Sequence, residues 1–193
     1  MRIFLFAALL LISISAQSQE YRRSIDITYA FGSTAVFQKG NLIGATGYEA
    51  RHFDTYGVSY TRSLANTVSI YTGISWLTGK IENIDLSQNP RISKVSNTSL
   101  IYIPIGVKFT FLKYFFVKGN AILAFDTSKN SPLSNQTGIG GGMAVGAQYM
   151  VNSRLGIHFC PYFNQHGIIL FNRGAQHERL MENGFQFGIN YRF

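Results

Sequence analysis

Apolar residues recur at every second position through much of this chain, in runs separated by short or long polar interruptions. In the C-terminal stretch 184–193, Phe185, Phe187, Ile189, Tyr191 and Phe193 share one parity, while Gln186, Gly188, Asn190 and Arg192 share the other. A β-strand repeats every two residues, so this pattern makes one face continuously apolar and the opposite face polar or small. Eight segments carry the same signature: Ser24–Val36, Phe53–Leu64, Thr67–Leu77, Thr98–Phe111, Phe115–Phe125, Thr137–Met150, Arg154–Asn164 and Asn183–Phe193. Each is long enough to cross a bilayer as a tilted strand, which takes roughly 9–11 residues. Their connections alternate in length. Ala65-Asn66, Leu112–Tyr114 and Val151–Ser153 are tight, whereas Phe37–His52, Thr78–Asn97, Asp126–Gln136 and Gln165–Glu182 are long and polar. Such alternation predicts an all-β, eight-stranded antiparallel up-and-down transmembrane barrel, with tight turns on the periplasmic side and long loops outside. An even strand number puts both termini in the periplasm.

The parity sets give an independent check. The outward set includes Ile25, Ile27, Tyr29 and Phe31 in the first segment, Ile70, Ile74 and Trp76 in the third, and Ile101 to Phe111 in the fourth. Its aromatics gather at segment ends. Phe109, Phe111, Phe115, Tyr149, Tyr191 and Phe193 fall at the tight-turn ends; Tyr56, Trp76, Phe125, Phe163 and Phe185 fall at the other. Two aromatic belts are what a membrane's two water boundaries select. A soluble two-sheet sandwich explains the alternation but neither the belts nor the aromatic terminal strand. That strand, with Phe185, Phe187, Ile189, Tyr191 and Phe193 on one face, resembles the C-terminal signal read by the barrel-assembly machinery.

The other end of the chain agrees. A basic start at Met1-Arg2, an apolar run Ile3–Ile12 too short to span a bilayer, and Ser13–Ser18 with small residues at Ala16 and Ser18 read as a signal peptide over 1–18. The barrel domain then occupies 19–193, one domain's length. Charged residues are 13% of the chain and aromatics 15%, yet no later run is apolar for 18 residues, so the apolar content is spread by alternation. The lone Cys160 excludes an intrachain disulfide. The formal charge of +8 comes from Lys and Arg spread along the chain without a cluster, which argues against nucleic acid and for anionic lipopolysaccharide or solvent; the barrel wall itself implies outer-membrane lipid as a partner.

Tyr102–Lys108 (YIPIGVK), followed by Phe115–Leu123 (FFVKGNAIL), resembles the porin-like outer-membrane β-barrels of Bacteroidetes, the PorT-like small barrels. Ile103-Pro104, Lys108 and Gly119 match that pattern; Tyr102 stands where the family often has Glu. The resemblance implies an eight-stranded barrel and no defined reaction.

The opposite parity lists the lumen. It includes Tyr71, Tyr102, Asn120, His158, Cys160 and Tyr162, together with a charged set of Asp26, Lys108, Lys118 and Arg192. Eight strands leave an interior just wide enough for side chains. A polar plug is therefore expected, with Asp26 near Arg192 across the closing seam and Lys108 beside Lys118. Gly140, Gly142, Ala144 and Gly146 bare the inward face of the sixth segment, which inward Tyr71, Tyr102 or Tyr162 would fill. His158-Phe159-Cys160 with Glu178 or Glu182 could imitate a His–nucleophile pair, but an inward pair is out of reach of a lipid substrate, so a packed His and a buried thiol are expected instead. His52, His166 and His177 are expected in loops without metal-ligand spacing, and Gly138–Gly142 is strand and not a phosphate loop. No catalytic, cofactor or metal residue is assigned. The expected role is a non-enzymatic structural, adhesion or interaction barrel. The alternatives are an accessory subunit of a larger outer-membrane secretion, uptake or assembly complex, or a narrow low-conductance pore.

Overall fold

A computed structural model describes residues 23–38, 46–85, 92–128, 135–171 and 178–193. Eight strands follow one another: β1 (Arg23–Gln38), β2 (Thr46–Ser63), β3 (Val68–Asp85), β4 (Ile92–Phe111), β5 (Phe115–Asp126), β6 (Gly138–Met150), β7 (Leu155–Leu170) and β8 (Glu178–Arg192). Every strand pairs antiparallel with its sequence neighbours, and β1 pairs with β8 from Ser24↔Arg192 to Gln38↔Glu178, closing the sheet. Closure leaves no unpaired main-chain edge, a condition that hydrocarbon imposes on any spanning sheet. Partners traced around the barrel from Ser24 through Thr61, Tyr71, Gly106, Asn120, Gly142, Asn164 and Glu182 return to β1 at Thr34, ten residues further on. That stagger tilts the strands and narrows the interior to what side chains can fill.

The tight turns are built by local chemistry. Leu112 and Lys113 both take positive φ, 49° and 67°, between β4 and β5. At the β6–β7 turn Asn152 Oδ1 accepts from the amides of Arg154 (2.8 Å) and Leu155 (2.7 Å), an Asx turn. Pro104 and Pro161 lie inside strands. The β3–β4 ladder skips from Thr72↔Ile105 to Ser75↔Tyr102, and β6–β7 from Ala144↔Tyr162 to Ala147↔Phe159, each resuming in the same register. A missing N–H thus interrupts the pairing without shifting a face.

The expected loops at 37–52, 78–97 and 165–182 are partly strand. β2 begins at Thr46, β3 runs to Asp85, β4 begins at Ile92, β7 runs to Leu170 and β8 begins at Glu178. Beyond the aromatic belt water wets both faces of a hairpin, so ladder hydrogen bonds persist while the apolar–polar alternation that marks a strand lapses. Residues 1–22, including the expected signal peptide, lie outside the described part.

Candidate functional site

Inward side chains stack in layers from the tight-turn end to the long-hairpin end. The lowest layer is cationic. Lys108 and Lys118 are direct cross-strand partners, and like charges so placed repel. Their neighbours soften the repulsion. Lys108 Nζ donates to Gln148 Oε1 at 2.6 Å, and both ammonium groups sit over the ring of fully buried Phe116, at 4.5 Å and 5.1 Å from its centroid. Lys118 also faces the Tyr71 ring at 5.6 Å. Across the layer, the buried Asp26 carboxylate accepts from Thr61 Oγ1 and Asn190 Nδ2, each at 3.1 Å, and lies 3.8 Å from His158 Nδ1. Arg192 pairs in register with Ser24, diagonally from Asp26; the two do not form an ion pair within 4 Å among the described residues. The four residues expected to form a charged interior set therefore share one end of the barrel, but Asp26 is satisfied by Thr61 and Asn190. The reason lies in register: Asn190, not Arg192, is its β8 partner.

The His158–Cys160 pair is packed. Cys160 is fully buried and its Sγ donates to Gln186 Oε1 at 3.5 Å. His158 lies edge-on to Phe116 and covers Gly188, where a Cβ would meet the imidazole. Glu182 belongs to another layer, and the Glu178 side chain lies outside the described part. Phe116 and Cys160 cover Gly146 and Asn164 covers Gly142, while Tyr162 stands opposite Ala144 on the same bare face. Between the layers is a cavity of about 60 Å³ touched by Tyr71, Tyr102, Lys118, Asn120, Tyr162 and Gln186, room for a few waters.

Above it sits the side chain with the most hydrogen bonds among the described residues. Glu182 is fully buried, and four donors from two strands reach it: Thr55 Oγ1 (2.9 Å) and Tyr162 OH (2.6 Å) on one oxygen, Asn164 Nδ2 (3.2 Å) and His166 Nε2 (3.0 Å) on the other. A buried carboxylate is costly unless hydrogen bonds satisfy it, and both oxygens of this one are satisfied. His166, expected in a loop, is a fully buried strand residue whose ring also packs on Tyr102, centroids 5.1 Å apart. His158, Cys160, Tyr162, Asn164 and His166 share one parity, as do Gln186, Gly184 and Glu182. Extending the alternation beyond Asn164 and Asn183 would have found the cluster. Phe53, Leu77, Leu100, Ile122 and Leu180, all essentially fully buried, close the long-hairpin end of the interior. The Leu180 amide donates to the buried Gln136 side chain at 3.1 Å, which ties the β5–β6 connection over this plug.

The outward face is apolar and aromatic. Phe185, Phe187, Ile189, Tyr191 and Phe193 are all exposed along β8, the first four at strand positions and Phe193 with its amide bonded to Arg23 O at 3.0 Å. Phe159 stacks on Phe185 and Phe31 on Phe187, while Tyr29, Tyr56 and Trp76 continue the rings onto β1, β2 and β3. At the belt facing the long hairpins these rings keep polar handles in reach of water: Tyr29 OH donates to Asp54 at 2.6 Å and Trp76 Nε1 to Ser99 Oγ at 2.9 Å. Among the described residues no group of three or more His, Cys, Asp or Glu is placed to hold a metal ion.

A closed eight-stranded barrel with an apolar exterior and a filled interior defines a small outer-membrane barrel, and the comparisons agree. Residues 4–193 match the family described as outer membrane protein beta-barrel domain; the chain belongs to that family, and its place is the outer membrane of a Gram-negative bacterium, in contact with lipid. Among solved structures, the outer membrane protein OprG from Pseudomonas aeruginosa superposes with a TM-score of 0.55 at 13% identity, covering 91% of this chain and 98% of its own. Ail, the attachment invasion locus protein of Yersinia pestis, solved with the heparin analogue sucrose octasulfate, gives 0.48 at 14% identity, over 91% and 100%. The N-terminal β-barrel domain of Pseudomonas aeruginosa OprF gives 0.44 at 14%, over 90% and 100%. No curated protein matches the chain. At such identities the shared property is the fold.

Proposed function

We propose that this chain is a sealed, non-enzymatic envelope barrel that works by contact, through its long-hairpin end and its wall. The carrying observation is the filled interior. Among the described residues, Phe53, Leu77, Leu100 and Leu180 and the Glu182 cluster fill the long-hairpin half of the interior, which supports a role carried by the surfaces. In this reading the termini and tight turns face the periplasm, the terminal strand serves the assembly machinery, and residues 1–18 are a signal peptide. The PorT-like resemblance fits the same architecture. Exchanging the segments 39–45, 86–91, 129–134 and 172–177 for short Gly-Ser sequences tests it. The barrel should still assemble, while envelope components that co-purify with the wild type are lost. Identical co-purifying sets would oppose the proposal.

The accessory-subunit reading has one observation in its favour. A concave outward surface of about 760 Å³ lies over Gly188 and Ala147, walled by Tyr29, Phe159, Phe187 and Tyr149, a shape that a neighbouring membrane protein fits. A stoichiometric barrel partner recovered in mild detergent, and lost in Gly188-neighbouring Ile189→Lys, would favour it.

A further inference from the structure

Arg23 and Arg62 are direct cross-strand partners on the outward face of β1 and β2, both exposed, at the tight-turn end. Directly opposite residues hold their Cβ atoms about 4.5–5.5 Å apart, and two like charges there destabilise the pair unless an anion joins them. Neither guanidinium has a side-chain partner among the described residues. Around them the outward face is apolar: Ile25, Tyr60 and Tyr191 are all exposed. Arginine is therefore placed where the hydrocarbon ends and headgroups begin.

A groove of about 510 Å³ starts at Arg62 and runs across β3 to β4. Tyr60, Ile70, Ile105 and Val107 wall it, and it deepens over Thr72 and Gly106, where the wall is thin. Its lining is apolar apart from its arginine end and Thr72. A cationic pair at headgroup level, continuous with an apolar groove pointing toward the membrane centre, has the layout of one amphipathic molecule.

We propose that Arg23, Arg62 and this groove form a glycerophospholipid site. The planar guanidinium forks hold the phosphodiester, as arginine does with phosphate oxygens, and an acyl chain lies between Tyr60 and Val107. The lipid anion removes the repulsion within the arginine pair, and the chain fills a recess that would otherwise be poorly packed. A phospholipid leaflet at this end follows from the reading that turns the tight turns toward the periplasm; the sealed interior plays no part in it.

Native mass spectrometry of the chain purified from membranes, refolded in detergent and exposed to equimolar phosphatidylglycerol, diacylglycerol and lipid A, tests the site. The wild type should retain one phosphatidylglycerol and no diacylglycerol. R23Q/R62Q should bind it about thirtyfold more weakly, two arginine–headgroup attractions lost together. T72W fills the groove, leaves both arginines in place, and should weaken retention of the two-chain lipid about tenfold. Heat-modifiable migration verifies that each variant is folded. Unchanged retention in R23Q/R62Q overturns the proposal. Equal retention of diacylglycerol by the wild type overturns it even if the double variant does not assemble. Preferential retention of lipid A overturns the phospholipid assignment and, with it, the periplasmic placement of this end.

Discussion

Glu182→Leu tests whether the buried carboxylate organises the long-hairpin half of the barrel. Four donors lose their acceptor at once: Thr55, Tyr162, Asn164 and His166. Each buried donor left unpaired costs about 1–3 kcal/mol. Leucine's apolar contact and the turning of the Asn164 amide toward Tyr162 offset part of this, so the net loss is about 4–6 kcal/mol. Glu182→Gln keeps an acceptor for Thr55 and Tyr162. The other side recovers if His166 presents a bare Nε2 and Asn164 flips, for a loss of about 1–2 kcal/mol. Urea unfolding in detergent micelles, followed by the fluorescence of the single Trp76 on the outward face, measures both. With a slope of about 2 kcal/mol/M, Glu182→Leu should lower the midpoint by about 2–3 M and Glu182→Gln by under about 1 M. A midpoint for Glu182→Leu within about 0.5 M of wild type, or equal damage from both substitutions, would refute this account of the cluster.

Three further outcomes are expected. Deleting Phe193, an exposed belt residue, should lower stability by about 1 kcal/mol or less, yet, on the proposed assembly role of the terminal strand, reduce surface-assembled protein severalfold in cells; quantifying surface exposure beside in vitro unfolding separates the two effects. Lys113→Gly relieves the positive-φ strain at a two-residue left-handed turn and should stabilise by up to about 1 kcal/mol after the entropy of the unfolded glycine is counted, as read from the urea midpoint. Cys160→Ser should assemble normally with a stability change below about 1 kcal/mol and leave lipid A unchanged by mass spectrometry, while the wild-type thiol should resist maleimide until the barrel unfolds.

Much of this structure is legible in the sequence because the bilayer enforces the alternation. Ile25, Ile27 and Tyr29 face out and Asp26 and Thr28 face in because lipid admits one kind of residue and a narrow lumen the other. Where the lipid ends, so does the constraint, and the strand ends at Thr46, Asp85, Ile92 and Glu178 were unreadable for that reason. The same lapse hid His166 and Glu182, whose parity is correct but whose neighbours at 167–181 carry no clear alternation. Register is the other blind spot. Strand pairing between β1 and β8 followed from closure, but which β8 residue meets Asp26 depends on the stagger of the whole barrel, and the answer is Asn190. The arginine pair illustrates it again, since Arg23 and Arg62 are 39 positions apart and meet through the β1–β2 register.

The claim that the barrel is sealed and acts through its surfaces is tested most directly by single-channel recording of the purified chain in planar bilayers. Phe53, Leu77, Leu100 and Leu180 close one end and the Phe116 layer the other, so the recording should stay at the baseline of protein-free bilayers across the voltage range. Reproducible ohmic steps from folded, heat-modifiable protein would contradict it.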